Sequence, residues 1–366
     1  MTLIKVNNRS SEDTAIHGRR NLLHNGAMQV AQRGTSFAET TAASYTLDRW
    51  LRAVGSSFNF DTTITQSTDV PSGEGFKYSL KVECDTVQTP SGSHNAGIGQ
   101  RLEGQDFQHL CYGTSSAKSI VLTFWTKSNK TGTYCVQFAT NHGNSTASYR
   151  YSFIREYTIN TANTWEKKTL TVPGLTTQDI ETTDTEGFRV KWWLAVGGDD
   201  TTTADAWEQS ASYLATSNQV NFMDNTSNEW YLTGCQLEEG TVSSPYEYRS
   251  YMDELRQCQR YYFTSYDNVS AGTTGTNTTS LYWVKDGTNS YATFGTTTFP
   301  SQMRVAPSAT VYNATTGNSN SATSDGSNFT AQVYFARKHT MAGGHANVSV
   351  GNATGIHYHM TATAEL

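Results

Sequence analysis

Along most of this chain apolar and polar side chains alternate with a period of two, in short runs broken by Gly, Asn, Ser and Thr. "SIVLTFWTK" (119–127) is almost continuously apolar. "GTYCVQFA" (132–139) sets Tyr134, Val136 and Phe138 on one face and Cys135 and Gln137 on the other. "SYRYSFI" (148–154) opposes Tyr149, Tyr151 and Phe153 to Arg150 and Ser152, and "WEKKTLTVPG" (165–174) stops at a Pro-Gly turn. "GFRVKWWLAVGG" (187–198) places Phe188, Val190, Trp192, Leu194 and Val196 together, with Arg189, Lys191, Trp193 and Ala195 behind them. Successive strand side chains point to opposite faces, so this pattern predicts an all-β chain with an antiparallel β-sandwich over residues 21–248. Spacing does not fix the strand order.

The pattern changes once. Over 249–263 the period becomes helical: Ser250 followed by Asp253 is a capping start, Asp253 and Glu254 occupy the first turn, and Arg256 and Arg260 follow. Met252, Leu255, Gln259 and Tyr262 fall on one narrow stripe. So short a helix needs a surface to pack on, and that stripe predicts a contact either with its own chain or with copies around an oligomer axis. Residues 264–366 resume the strand pattern as a smaller β-domain. It includes a hairpin with Asp286-Gly287 at its tip, an edge strand interrupted by Pro300 and Pro307, and strands at 331–339 and 355–366. Residues 1–20 are polar, carry Arg9, Arg19 and Arg20, and read as a docking arm or a frayed terminus.

Composition narrows the function classes. The 20 Tyr, 15 Phe and 8 Trp suffice for a large core, which excludes a disordered chain. A net charge of −6 with no basic block argues against nucleic acid. The five cysteines (84, 111, 135, 235 and 258) show neither a CxxC nor a metal spacing, which points to isolated thiols and folding in a reducing cytoplasm. No stretch is long and apolar enough for membrane insertion, and the start has no secretory signal pattern. The sequons at Asn129 and Asn144 are what chance gives in so Asn- and Thr-rich a chain.

Three patches, "GRRNLLHNGAMQVAQRGTSF" (18–37) with "LDRW" (47–50), "CQLEEGTVSSPYEYRSYMDELRQCQRYY" (235–262), and "FPSQMRVAPSATV" (299–311) with a final "AEL", resemble virion fibre and decoration proteins of tailed bacteriophages. The resemblance implies a jelly-roll first domain similar to carbohydrate-binding modules, a linking helix, a smaller C-terminal β-domain, and a homotrimer on the particle surface.

Candidate sites follow from the strand faces. Trp193 beside Arg189 and Lys191, with Arg150 and Gln137 on the polar faces of their own strands, offers an aromatic surface with hydrogen-bond donors, as glycan binding requires; the alternative packs Trp193 under a loop or at a subunit contact. Trp50, Trp125, Trp165 and Trp192 are expected in the core. "GGDDTTTADAWE" (197–208) carries Asp199, Asp200, Asp205 and Glu208, a candidate structural Ca²⁺ loop or simply a solvated acidic one. His357 and His359, two apart on a strand, would give a trimer six imidazoles for an axial metal; otherwise they are ordinary surface or core histidines. Glu238 and Glu239 point to opposite faces and cannot flank one glycosidic bond, and no hydrolase or nucleotide motif occurs.

These readings converge on a non-enzymatic phage structural protein. It would assemble in the host cytoplasm as a trimeric tail or head fibre on the virion surface, docked by residues 1–20 and available to host-surface polysaccharide. The alternatives are a capsid decoration protein without a receptor role, or a secreted polysaccharide-binding module or glycan-active enzyme.

Overall fold

The structure, a computed structural model, describes residues 20–39, 43–55, 58–142, 150–267, 269–284, 291–293, 296–324, 327–347 and 355–366. Residues 1–19 of the arm, Asn144, Tyr149 and the Asp286-Gly287 tip lie outside them.

The first part contains β1 (Ser36–Glu39), β2 (Ser44–Tyr45), β3 (Leu51–Gly55), β4 (Thr62–Ser67), β5 (Ser79–Cys84) and β6 (Asn95–Glu103). It continues with β7 (Ile120–Ser128), β8 (Gly132–Thr140), β9 (Tyr151–Ile159), β10 (Glu166–Val172), β11 (Glu186–Val196), β12 (Trp207–Gln209) and β13 (Glu229–Glu239). They form a six-stranded sheet ordered β1-β4-β5-β13-β7-β10 and a seven-stranded sheet ordered β12-β9-β8-β11-β6-β3-β2, all antiparallel. This is the expected jelly-roll sandwich. Its core takes the inward residues of both sheets: Leu122 and Phe124 from β7, Tyr134, Val136 and Phe138 from β8, and Phe188, Val190 and Trp192 from β11. Trp50 and Trp192 are buried there with ring centroids 5.6 Å apart.

One irregularity shapes the outer surface. On β13, Trp230 and Leu232 face inward, and after Gly234 so do Cys235 and Leu237. Thr233 pairs with Trp125 and Gln236 with Thr123, so β13 carries one extra residue, a bulge. Gly234 adopts φ +61°, which an L side chain rarely accepts.

Helix α1 (Tyr251–Gln259) starts as its sequence predicts, with the Ser250 hydroxyl accepting the Asp253 N–H at 3.2 Å. Its buried side is not the expected stripe. Glu254 and Cys258 turn inward, followed by Tyr261, while Met252 is exposed and Leu255 and Gln259 are half-buried. The physical reason is polar: the Glu254 carboxylate accepts the Asn25 N–H and lies 3.6 Å from Arg249. Tyr262 is buried, and its ring lies 3.7 Å from the Arg33 guanidinium.

The chain then enters a nine-stranded antiparallel unit comprising β14 (Tyr262–Thr264), β15 (Leu281–Val284), β16 (Tyr291–Thr293), β17 (Thr296–Thr298), β18 (Ser308–Asn313), β19 (Ser321–Ser324), β20 (Ser327–Ala336), β21 (Thr340–Asn347) and β22 (Gly355–Thr363). β20 changes partner between Thr330 and Ala331, from β19 to β21, which turns the sheet into a second layer. Met341 of β21 thereby meets Met360 and Ala362 of β22 in the core of this smaller sandwich. The expected strand at 299–314 begins only at Ser308, directly after Pro307.

The seam between the two sandwiches is charged. Arg304 donates to the carbonyls of Ala364 and Asp184, at 2.8 and 2.9 Å, and Glu365 pairs with Arg33 at 2.9 Å and with Arg49. Arg49 is fully buried, with its guanidinium 3.5 Å from the centre of the Tyr261 ring.

Candidate functional site

The glycan face expected on β11 is roofed. Residues 210–219 cross the outer side of the seven-stranded sheet: Gln219 donates to the Trp193 carbonyl at 3.1 Å, and Gln137 donates to the Tyr213 carbonyl at 2.8 Å. Trp193 is 1% exposed and packs against Ala53 and Leu214. It is therefore no open aromatic surface, because the loop supplies the apolar partner that a sugar would have supplied. Gln137 is also buried, held by Ser152 and Tyr213. Arg189, Lys191 and Arg150 do gather on one side of this sheet, together with Arg101, which the sequence reading did not single out.

The acidic loop disperses its carboxylates. Asp199 is exposed, and Asp200 is buried and accepts from Asn95 at 3.0 Å, with burial raising its pKa. Asp205 pairs with Arg155 at 2.6 Å, and Glu208 accepts from Thr202 and Thr203. Among the described residues no three His, Cys, Asp or Glu side chains converge as metal ligands. The two histidines do share a face of β22, yet each is engaged within its own chain. His357 meets the Ser280 hydroxyl at 2.9 Å, while His359 is buried, stacks on Tyr266 at 3.9 Å and meets the Ser265 hydroxyl at 3.1 Å. Burial therefore withdraws His359 from an axial metal. All five cysteines are unpaired, four of them buried. Among the described residues no helix is long and apolar enough to cross a membrane.

The accessible aromatic surface lies on the opposite sheet. On β7 the inward Leu122 and Phe124 alternate with the outward Thr123, Trp125 and Lys127. Trp125 sits between Lys167 of β10 and Thr233 of β13 and is half-buried, not a core residue as expected. Beside it Phe76, Tyr246 and Tyr248 form an edge-and-face cluster with centroids 4.9 to 5.6 Å apart. These rings wall a cleft of about 590 Å³, whose polar lining comes from Glu74, Thr123, Lys167, Gln236, Ser243 and Ser244. Gly234 makes the cleft possible: a Cβ there would lie 2.6 Å from the Phe76 ring and 3.1 Å from Trp125.

The walls of this cleft are fixed by hydrogen bonds. The Ser244 N–H and hydroxyl donate to Glu238 at 2.8 and 2.6 Å, Gln236 donates to Ser244 at 3.1 Å, and the Gln236 side-chain oxygen accepts the Glu247 N–H at 2.7 Å. Tyr248 donates to the Glu74 carbonyl. The Thr123 hydroxyl, by contrast, is buried with no hydrogen-bond partner among the described residues. A second row runs alongside: the Lys127 ammonium lies 4.2 Å from the Tyr231 ring and 5.5 Å from the Trp165 ring, and Trp165 donates to Asp69 at 2.9 Å. Trp165, too, belongs to this outer face. The available sequence signal was the polar pair Thr123 and Lys127 flanking Trp125, which marks position 125 as outward.

No family model matches this chain, and no curated protein does. Among solved structures it is similar to a putative sugar binding protein from Bacteroides thetaiotaomicron VPI-5482, at 12% identity over 60% of this chain and 100% of that one, with a TM-score of 0.36. It is also similar to the enzymatically active domain of bacteriophage CBA120 tailspike protein 4, at 13% identity over 60% of this chain and 21% of that one, TM-score 0.31. A third is the CBM22-2 xylan-binding domain of Paenibacillus barcinonensis Xyn10C, at 11% identity over 52% of this chain and 92% of that one, TM-score 0.30. At these scores the likeness assigns no role to individual residues of this chain.

Proposed function

We propose that this chain is a non-enzymatic polysaccharide-binding surface protein that holds a glycan segment in the cleft over the six-stranded sheet. The carrying observation is the cleft itself: Trp125, Phe76, Tyr246 and Tyr248 supply apolar faces for pyranose rings, and Glu74, Lys167 and Ser243 are the accessible polar side chains beside them, with Gln236 and Ser244 bonded into the wall. Glu74 is the one carboxylate among the lining residues, whereas glycoside hydrolysis ordinarily needs a flanking pair. The three sequence patches support placing it on a tailed-phage particle, as a homotrimeric tail or head fibre docked through residues 1–20.

A glycan array with the intact chain tests the binding reading. Retention of one or more neutral polysaccharides, lost in Trp125→Ala, supports it; an array with no signal, or a signal unchanged by that substitution, overturns it. Native mass spectrometry and imaging of particles test the rest: a threefold mass and density on the virion are expected. Deleting residues 1–19 should abolish incorporation and leave a soluble assembly.

A further inference from the structure

The outer face of the seven-stranded sheet carries a cluster whose charge does not balance. Arg189 and Lys191 stand two residues apart on β11, and Arg101 on β6 is the cross-strand partner of Arg189. Arg150 approaches just ahead of β9. Glu186 is the carboxylate among them: Arg189 bonds it closely, and Arg101 lies 3.5 Å away. The other contacts are not to carboxylate side chains. Arg101 donates to the main-chain oxygen of Leu366, the last residue, at 2.8 Å, Arg150 reaches the Asn141 side-chain oxygen at 3.4 Å, and the Lys191 ammonium has the Trp193 ring at 5.1 Å.

Arg189 and Lys191 are each only 9% exposed. Burying a cation without a counter-charge is costly, and four cationic side chains around one carboxylate side chain compound that cost. The strain falls on Lys191, whose ammonium is pushed down to about 7, first by burial and then by Arg189 and Arg101. Among the described residues the charged side chains acting on it are Arg101 from β6, Arg189 and Glu186 from β11, and Arg150 ahead of β9; β8 presents the neutral Gln137. The cluster is not sealed, since the Arg101 side chain is 32% exposed and Arg150 is half-buried. Guanidinium forks match the geometry of an oxyanion, and a lysine adds a point charge.

We propose that Arg101, Arg150, Arg189 and Lys191 form a binding site for an oxyanion (a sulfate, phosphate or carboxylate group), separate from the cleft on the other sheet. The group could be an inorganic ion or a substituent of an acidic saccharide. Binding would restore charge balance and hold Lys191 protonated.

Calorimetric titration of the intact chain at pH 6 with sulfate, inorganic phosphate and trigalacturonate, against chloride at equal ionic strength, tests this. Saturable binding that weakens at least tenfold in Arg150→Gln and Lys191→Met, and up to tenfold per pH unit above 7, is expected. Tighter binding of trigalacturonate than of either inorganic ion identifies the saccharide source, and the reverse identifies a free ion. Heat that matches the chloride control, or that both variants retain, overturns the site. A second readout guards against misfolding: without ligand at pH 6, Lys191→Met should melt higher than the parent chain. A lower melting temperature would show that the ammonium serves the fold and would also overturn the proposal.

Discussion

Arg260 and Glu103, 157 residues apart, meet in a two-pronged ion pair, Nε to Oε1 and Nη2 to Oε2, both at 2.7 Å. Glu103 ends β6 in the first sandwich and is 1% exposed; Arg260 caps the linking helix. Tyr261 donates its hydroxyl to the same carboxylate. The pair therefore ties the helix to the sandwich through a desolvated charge. Removing one partner strands the other, so Glu103→Gln should cost about 3 kcal/mol, read by urea unfolding. The sign with pH is fixed as well. Burial alone would raise the Glu103 pKa, but the bonds from Arg260 and Tyr261 outweigh it and hold the pKa below 4.5. The stabilisation should be complete above pH 4.5 and lost as pH falls through the folded value, and Glu103→Gln should flatten that slope.

The two exposed-looking tryptophans separate by assay. Trp193→Ala removes a side chain packed against Ala53 and Leu214 and should cost about 3–5 kcal/mol of stability. Trp125→Ala removes a half-buried ring from the cleft wall and should lower glycan retention while shifting the melting temperature much less. Thermal melts and array binding on both variants decide it. Equal loss of binding in both, at matched stability, would return the glycan site to β11.

Gly234 predicts a coupled effect. An alanine there takes on φ +61° and a Cβ overlapping the Phe76 ring. Gly234→Ala should cost about 1–2 kcal/mol from the backbone and should also displace Phe76, weakening binding beyond what the stability loss explains. Binding measured well below the melting temperature separates the two.

His359 supplies an acid-side switch in stability. Burial lowers its pKa below 6.5 against the opposing hydrogen bonds that the ring makes to the backbone of Thr276 and Ser265. The neutral ring is the folded form, so its contribution is complete above pH 6.5 and lost as pH falls toward the folded value. His359→Phe should remove that pH dependence in unfolding curves between pH 7 and 5. An unchanged slope would place the titration elsewhere.

Much of this architecture was legible in the chain. Period-two alternation placed β8, β9 and β11 and chose their inward faces correctly, because burial on one side of a pleated strand imposes that period; β7, almost continuously apolar, was placed but its faces were not separated, so Trp125 was expected in the core. The Ser250–Asp253 cap located the linking helix, since capping is a local interaction. The buried face of that helix was not legible because it holds Glu254, whose partners Asn25 and Arg249 become visible only when the chain has folded.

The functional surface marks the limit most clearly. Trp125 and Trp193 occupy similar places, each an aromatic at the outward position of an otherwise apolar strand. Alternation reports which side of a strand meets the core; it carries no information about what covers the other side. Residues 210–219 fold back over β11 and bury Trp193, while nothing comparable crosses β7 above Trp125 among the described residues. The sequence by itself determined the strands, their inward faces and the helix start. The tertiary structure alone decided which sheet stays open and which cations are left short of an anion, because both depend on contacts between residues far apart in the chain.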